Sequence, residues 1–183
     1  MLDDRKILKK LKAGDREALC LVYDKYKESL RTIAASMLHD RCAADDVLHD
    51  VFVAFARKAR QLHIKSSLRR YLIASVANRV RDEYRRKRVH TLELDRAEPV
   101  CSRAGGPDSR IMADERAQLL AHALASIPFE QREVIVLHLK GTLTFREIAR
   151  MQSITLSTAH GRYRYGLNKL RTLLDGEFND DPC

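Results

Sequence analysis

The amino-acid sequence predicts an all-α chain of two small helical domains joined by a flexible linker. Apolar residues recur at three- and four-residue steps through most of the 183 residues, the spacing of one face of a helix. Only 7 Gly and 4 Pro interrupt them, too few for the turns of a long β-architecture. The periodicity then stops over residues 89–108, where Pro99, Ser102, Gly105, Gly106 and Pro107 gather without an apolar pattern, as in a linker. The length fits one domain or two small ones, and the interruption selects two, residues 1–88 and 109–183.

In the first domain a short opening helix is expected over residues 5–11. Asp15 is placed to cap a helix reaching about residue 38, with Leu19, Val22, Tyr23, Tyr26, Leu30, Ile33 and Met37 inward. The next helix, about residues 43–62, puts Val47, Val51, Phe52, Phe55, Ala59 and Leu62 on its apolar face. Asp46, His49, Asp50 and Val53 share another face at i, i+3, i+4 and i+7. A helix over about residues 66–88 turns Leu68, Leu72, Val76 and Val80 inward and carries Asn78, Arg81, Arg85 and Arg88 as a stripe on its other side. The helical spacing of Tyr23, Tyr26, Phe52, Phe55 and Tyr71 makes them core residues before base-stacking platforms.

Beyond the linker, helices are expected over about residues 109–125 and 128–139, with Pro128 at the favoured first-turn position and Gly141 just past the end. Thr144-Phe145-Arg146-Glu147 has the form of a capping box. Ile148, Ala149 and Met151 supply a short apolar face, Ser153-Ile154-Thr155 makes a turn, and a last helix runs from about residue 157 to 174. Two helices joined by so short a turn, the second basic and acid-free, form a helix-turn-helix.

Lys and Arg (34) outnumber Asp and Glu (25) by nine, which suggests a polyanionic partner. The charge is concentrated. Arg69, Arg70, Arg79, Arg81, Arg85, Arg86, Lys87 and Arg88 face only Asp82 and Glu83, whereas Asp40, Asp45, Asp46 and Asp50 are accompanied by Arg41 alone. In the last helix Ser157, Thr158, His160, Gly161 and Arg162 occupy the turns that reach base edges in a major groove, with Arg164, Lys169 and Arg171 following as phosphate or solvent contacts.

Other chemistries find little support. Cys20, Cys42, Cys101 and Cys183 have no paired spacing and read as unpaired thiols, and the histidines are scattered, so neither a metal nor a cofactor is expected. No apolar run approaches the roughly 20 residues of a membrane span. The acids of Met1-Leu2-Asp3-Asp4-Arg5-Lys6 do not suit a signal peptide, which makes a cytoplasmic protein the expectation. One rival is a metal-dependent nuclease using Asp45, Asp46, His49 and Asp50, which are spaced to cluster on a helix.

Across nearly the whole chain these residues resemble bacterial extracytoplasmic-function (ECF, group 4) sigma factors of the sigma-70 superfamily. Asp45-Asp46-Val47-Leu48-His49-Asp50-Val51-Phe52 is similar to the family's polymerase-binding helix, and Tyr71-Leu72-Ile73, Asn78, Asp82 and Arg85-Arg86-Lys87-Arg88 match its melting and promoter-reading helix. Ile127-Pro128-Phe129-Glu130-Gln131-Arg132-Glu133-Val134, Glu147-Ile148-Ala149 and Ser157-Thr158 match region four. His49, Tyr71, Ser153 and Gly161 stand where the family usually has Gln, Trp, Gly and Ser.

The resemblance implies a factor that breaks no bond itself. Asp45, Asp46, His49, Asp50 and Val53 would bind core RNA polymerase. Asn78, Arg81, Arg85, Arg86, Lys87 and Arg88 would hold the downstream (−10) promoter DNA, and Ser157, Thr158, His160, Gly161, Arg162, Arg164 and Lys169 the upstream (−35) element. It also implies a separate anti-sigma protein and no membrane insertion. The alternative is a helix-turn-helix regulator that does not engage polymerase and uses the first domain to dimerise. The acidic helix and the second basic stripe count against it, since a dimer interface needs neither.

Overall fold

The computed structural model describes residues 4–61, 64, 67–93 and 111–178; among them are eight α-helices and no strand. Cys101, Cys183, Leu62 and most of the expected linker lie outside these residues. The chain divides into two compact units, Met1–His90 and Thr91–Cys183.

The first unit holds α1 (Asp4–Lys12), α2 (Arg16–Leu38), α3 (Arg41–Lys58), a 3₁₀ turn (Ala59–Gln61) and α4 (Leu68–Glu93). Ile7 and Leu11, one turn apart, seat α1 in the core. Its first residue, Asp4, accepts from the Tyr26 hydroxyl at 2.7 Å and from the Lys25 ammonium at 2.5 Å, while burial pushes the Tyr26 hydroxyl above its ordinary pKa. Asp15 caps α2 as expected, accepting from the backbone of Glu17 at 2.9 Å and Ala18 at 3.4 Å. Asp40 does the same for α3 through Ala43 N–H at 3.0 Å. That cap explains why α3 begins two residues before position 43, because an aspartate at N-cap satisfies a donor the first turn otherwise leaves open.

The core of this unit is Val22, Leu30, Ile33 and Met37 from α2, Val47, Val51 and Phe55 from α3, and Leu68, Leu72, Ile73, Val76 and Val80 from α4, all buried. Tyr23 departs from the expected core: it is 41% exposed, its ring lying edge-on to Phe52 at 4.9 Å. Tyr71 is half-buried, 6.1 Å from Phe55. Helix α4 continues to Glu93, five residues into the expected linker, since no Gly or Pro follows Arg88 until Pro99.

The second unit comprises α5 (Ile111–Ala125), α6 (Phe129–Leu139), α7 (Phe145–Gln152) and α8 (Leu156–Phe178). Pro128 is the N-cap of α6 (φ −54°, ψ 141°) and not its first helical residue. The buried Arg132 closes the preceding helix, donating to the carbonyls of Leu124 at 3.2 Å and Ala125 at 3.4 Å. These are among the last carbonyls of α5, which have no partner within their own helix.

After α6 the left-handed residue is Thr142 (φ 55°), not Gly141. Gly141 is needed for space, since a Cβ there would stand 2.4 Å from the Leu137 carbonyl oxygen. The capping box forms, with Glu147 N–H on Thr144 Oγ1 at 3.3 Å and Thr144 N–H on Glu147 Oε2 at 2.9 Å. Ser153 takes the left-handed turn position at φ 55°. Thr155 then caps α8, accepting from Thr158 N–H at 3.0 Å.

Helix α8 packs through Leu170, Tyr163, Leu167, Leu173 and Leu174 against Leu124, Ile127 and Ile135. Gly166 sits where α8 meets α6, and a Cβ there would lie 2.7 Å from Ile135 Cδ1. On propensity alone Gly166 weakens the helix by about 1 kcal/mol; in the fold its missing side chain admits α6.

Candidate nucleic-acid interface

In the first unit, α3 and α4 present their charged residues along an open groove of about 370 Å³ lined by Asp46, His49 and Asp50 on one side and Arg79, Glu83 and Arg86 on the other. Asp46 and His49 are exposed. The other two carboxylates of this face are already engaged: Asp45 takes the Arg31 guanidinium of α2 at 2.6 and 3.0 Å, and Asp50 takes the Arg79 guanidinium, Nε at 3.0 Å. Val53 is half-buried on the same helix.

This geometry does not suit the nuclease rival, because Asp45 and Asp50 are directed to cations on different neighbouring helices. Among the described residues no three His, Cys, Asp or Glu side chains are grouped to hold a metal ion. Cys20 and Cys42 are free and exposed.

The basic stripe of α4 is likewise only partly unoccupied. Arg81 Nη1 donates to Asn78 Oδ1 at 3.1 Å, and Arg86 lies 3.4 Å from Glu83. Lys87 reaches back to the α3 cap, its ammonium 2.8 Å from Asp40 Oδ2. Asp40 is held below the ordinary carboxyl pKa, first by the Ala43 amide and then by Lys87. Arg85 and Arg88 are exposed with no ion pair among the described residues.

In the second unit α7, the turn and α8 form the expected helix-turn-helix. Ser157, Thr158 and His160 are exposed at the start of α8, Thr158 sharing a 2.8 Å hydroxyl contact with Thr155. His160 lies against Phe145 at 4.2 Å, and Phe145 in turn stacks on His138 at 4.2 Å and meets Tyr163 edge-on. This aromatic cluster fixes α8 against α7.

Arg162, which the sequence places in the base-reaching turns, is half-buried, and its Nη1 donates to Gln152 Oε1 of α7 at 3.0 Å. Gly161 has only the Tyr165 ring near its missing Cβ, at 3.9 Å. Arg164 and Lys169 are exposed. Tyr165, absent from the sequence-based candidates, is 59% exposed on this surface, with the Arg164 guanidinium 5.2 Å from its ring centroid. Its place off the apolar stripe of Tyr163, Leu167, Leu170 and Leu174 is the sequence signal that could have marked it as exposed.

The architecture defines a two-part helical DNA-binding protein with an acidic helix in its first unit and a helix-turn-helix in its second. Residues 22–89 match the family described as sigma-70 region 2, and residues 123–172 the family described as sigma-70, region 4. The chain belongs to the sigma-70 family of RNA polymerase sigma factors.

It is 27% identical over 178 residues to the ECF RNA polymerase sigma factor SigK of Mycobacterium ulcerans, covering 92% of each chain. It is 25% identical over 182 residues to the RNA polymerase sigma factor CnrH of Cupriavidus metallidurans, covering 95% of each. Its fold is similar to that of CnrH solved in complex with the cytosolic domain of CnrY (TM-score 0.65, 24% identity, 94% of this chain and 97% of that one). It is also similar to that of RpoE bound to the anti-sigma factor NepR from Bartonella quintana (TM-score 0.65, 21% identity, 84% and 98%). No helix among the described residues is long and apolar enough to cross a membrane.

Proposed function

We propose that the chain binds core RNA polymerase and directs it to specific promoters, acting in the cytoplasm and catalysing no reaction itself. The observation that carries this reading is the joining, in one chain, of an acidic groove-forming helix to two separate basic surfaces. A regulator that only bound DNA would need one such surface. Asp46, His49 and the outward side of Asp50 would meet a basic element of the polymerase, with Asp45 and Val53 supporting the helix that presents them. The exposed end of α4, with Arg85 and Arg88 foremost and Asn78, Arg81, Arg86 and Lys87 beside them, would hold the −10 element.

Taking a base out of the stack costs a few kcal/mol, which polymerase and strand contacts must supply together. Ser157, Thr158, His160, Gly161, Arg162, Arg164 and Lys169 of α8 would hold the −35 element. The relatives solved with CnrY and NepR support a further part of the proposal, a separate anti-sigma protein that occludes these faces.

Transcription in vitro with core polymerase on a genomic template library tests the reading. Discrete start sites that depend on this chain are expected; no transcripts above those of core polymerase alone would reject it.

A further inference from the structure

The geometry points to Tyr165 as a specificity-determining residue of the DNA-reading helix, one that recognises the 5-methyl group of a thymine in the major groove of the upstream promoter element. This rests on the proposed sigma-factor function and extends base reading to a residue three positions beyond Arg162, the last that the spacing places at base edges.

Five observations converge on it. At about 100° per residue, Ser157, Gly161, Arg164 and Asn168 stand opposite the buried Ala159, Gly166 and Leu170, and Tyr165 adjoins them. It is therefore on the side of α8 that faces away from the unit's own core. At 59% exposure it is the most exposed of the large apolar side chains among the described residues.

The ring also has a cation beside it. The Arg164 guanidinium sits 5.2 Å from its centroid, with Nη2 3.5 Å from its hydroxyl. Gly161, one turn earlier, has no side chain to shield the ring edge, to which its Cβ would stand at 3.9 Å. Finally, the neighbouring guanidinium best placed by sequence to read a base, that of Arg162, is directed to Gln152 of α7.

The choice of base follows from chemistry. Of the groups that the four base pairs present in the major groove, only the thymine methyl is apolar, the rest being donors and acceptors. A tyrosine ring edge gains by covering that methyl and offers no bidentate pair to a purine. The surrounding charge suits a duplex: α8 carries Arg162, Arg164, Lys169 and Arg171 and no acid before Asp175. The cations neutralise phosphate while the ring covers the methyl.

The test uses the full chain with core polymerase. Promoter duplexes randomised upstream of the start site are selected by transcription, and each thymine of the recovered element is then replaced singly by deoxyuridine, which removes only the methyl. Initiation by the parent should fall roughly fourfold at one position, the worth of burying one methyl-sized group. Tyr165→Phe should keep that loss, because the ring makes the contact. Tyr165→Ala should initiate equally well from the thymine and deoxyuridine forms at that position.

An unchanged deoxyuridine penalty in Tyr165→Ala would overturn the proposal, as would its loss in Tyr165→Phe, a uniform loss of activity on every sequence, or the lack of any penalty in the parent. Failure of the parent to select any element would instead remove the sigma-factor reading on which it stands.

Discussion

At the scale of single residues, two glycines in α8 have opposite roles. Gly166 lies against Ile135 and Gln131 of α6, where a Cβ would stand 2.7 and 3.1 Å away. Gly161 has only an ordinary contact distance to Tyr165. Gly166→Ala should therefore be less stable than Gly161→Ala, because Ile135 and Gln131 must shift to admit its Cβ, despite alanine's better helix propensity. Gly161→Ala should stabilise the protein by about 1 kcal/mol. Urea denaturation of the two variants checks the order, and equal shifts would refute the packing account. In the proposed function Lys169, exposed and later in α8 than Tyr165, would meet only phosphate. Lys169→Ala should weaken binding to cognate and scrambled duplexes alike and lower the salt slope by about one contact, as read by fluorescence anisotropy with the polymerase-bound chain.

At the scale of elements, α3 is the joint between charge systems. Its carboxylates are not equivalent: Asp46 faces the groove with no ion pair among the described residues, whereas Asp45 and Asp50 are held by Arg31 and Arg79. Asp46→Lys should weaken binding to core polymerase in a pull-down titration, because it sets like charges across the interface. Asp45→Lys should act mainly by losing an exposed ion pair, which changes stability little. Unchanged polymerase affinity for Asp46→Lys would mean that this face is merely solvated.

Asp40 begins the same helix. Since its folded pKa lies below the ordinary value of 3.8, its contribution is complete above that pH and is lost as the pH falls through the depressed value. Asp40→Ala should cost about 1 kcal/mol at neutral pH through the lost cap. Acid titration followed by circular dichroism should show that difference shrinking below pH 4, and a gap persisting at the lowest pH would contradict the assignment.

At the scale of the whole molecule, each unit has its own core: α1 to α4 around Leu30, Phe55 and Leu72, and α5 to α8 around Leu137 and Ile148. Two such units joined by residues of linker composition should fold independently. Limited proteolysis should cut first within residues 94–108, where Pro, Gly and Ser accumulate without apolar period. First cleavage inside α3 or α4 would overturn the division.

The sequence alone determined the helical class, the two-domain layout, the caps at Asp15 and Thr144, the turn at Ser153 and the regions of charge. All of these depend on interactions within a few residues of one another, so spacing carries them. The helix ends near Arg41 and Glu93 were less legible, because a cap can move a start by a turn and nothing stops α4 at Arg88. Only the tertiary structure decided which charges are spent internally. Arg31 meets Asp45 across 14 positions, Arg79 meets Asp50 across 29, Lys87 meets Asp40 across 47 and Arg162 meets Gln152 across 10. The same packing placed Tyr23 outside and made Gly166 a point of close approach. Which side chains face each other across two helices depends on how those helices cross, and periodicity within one helix holds no record of the crossing.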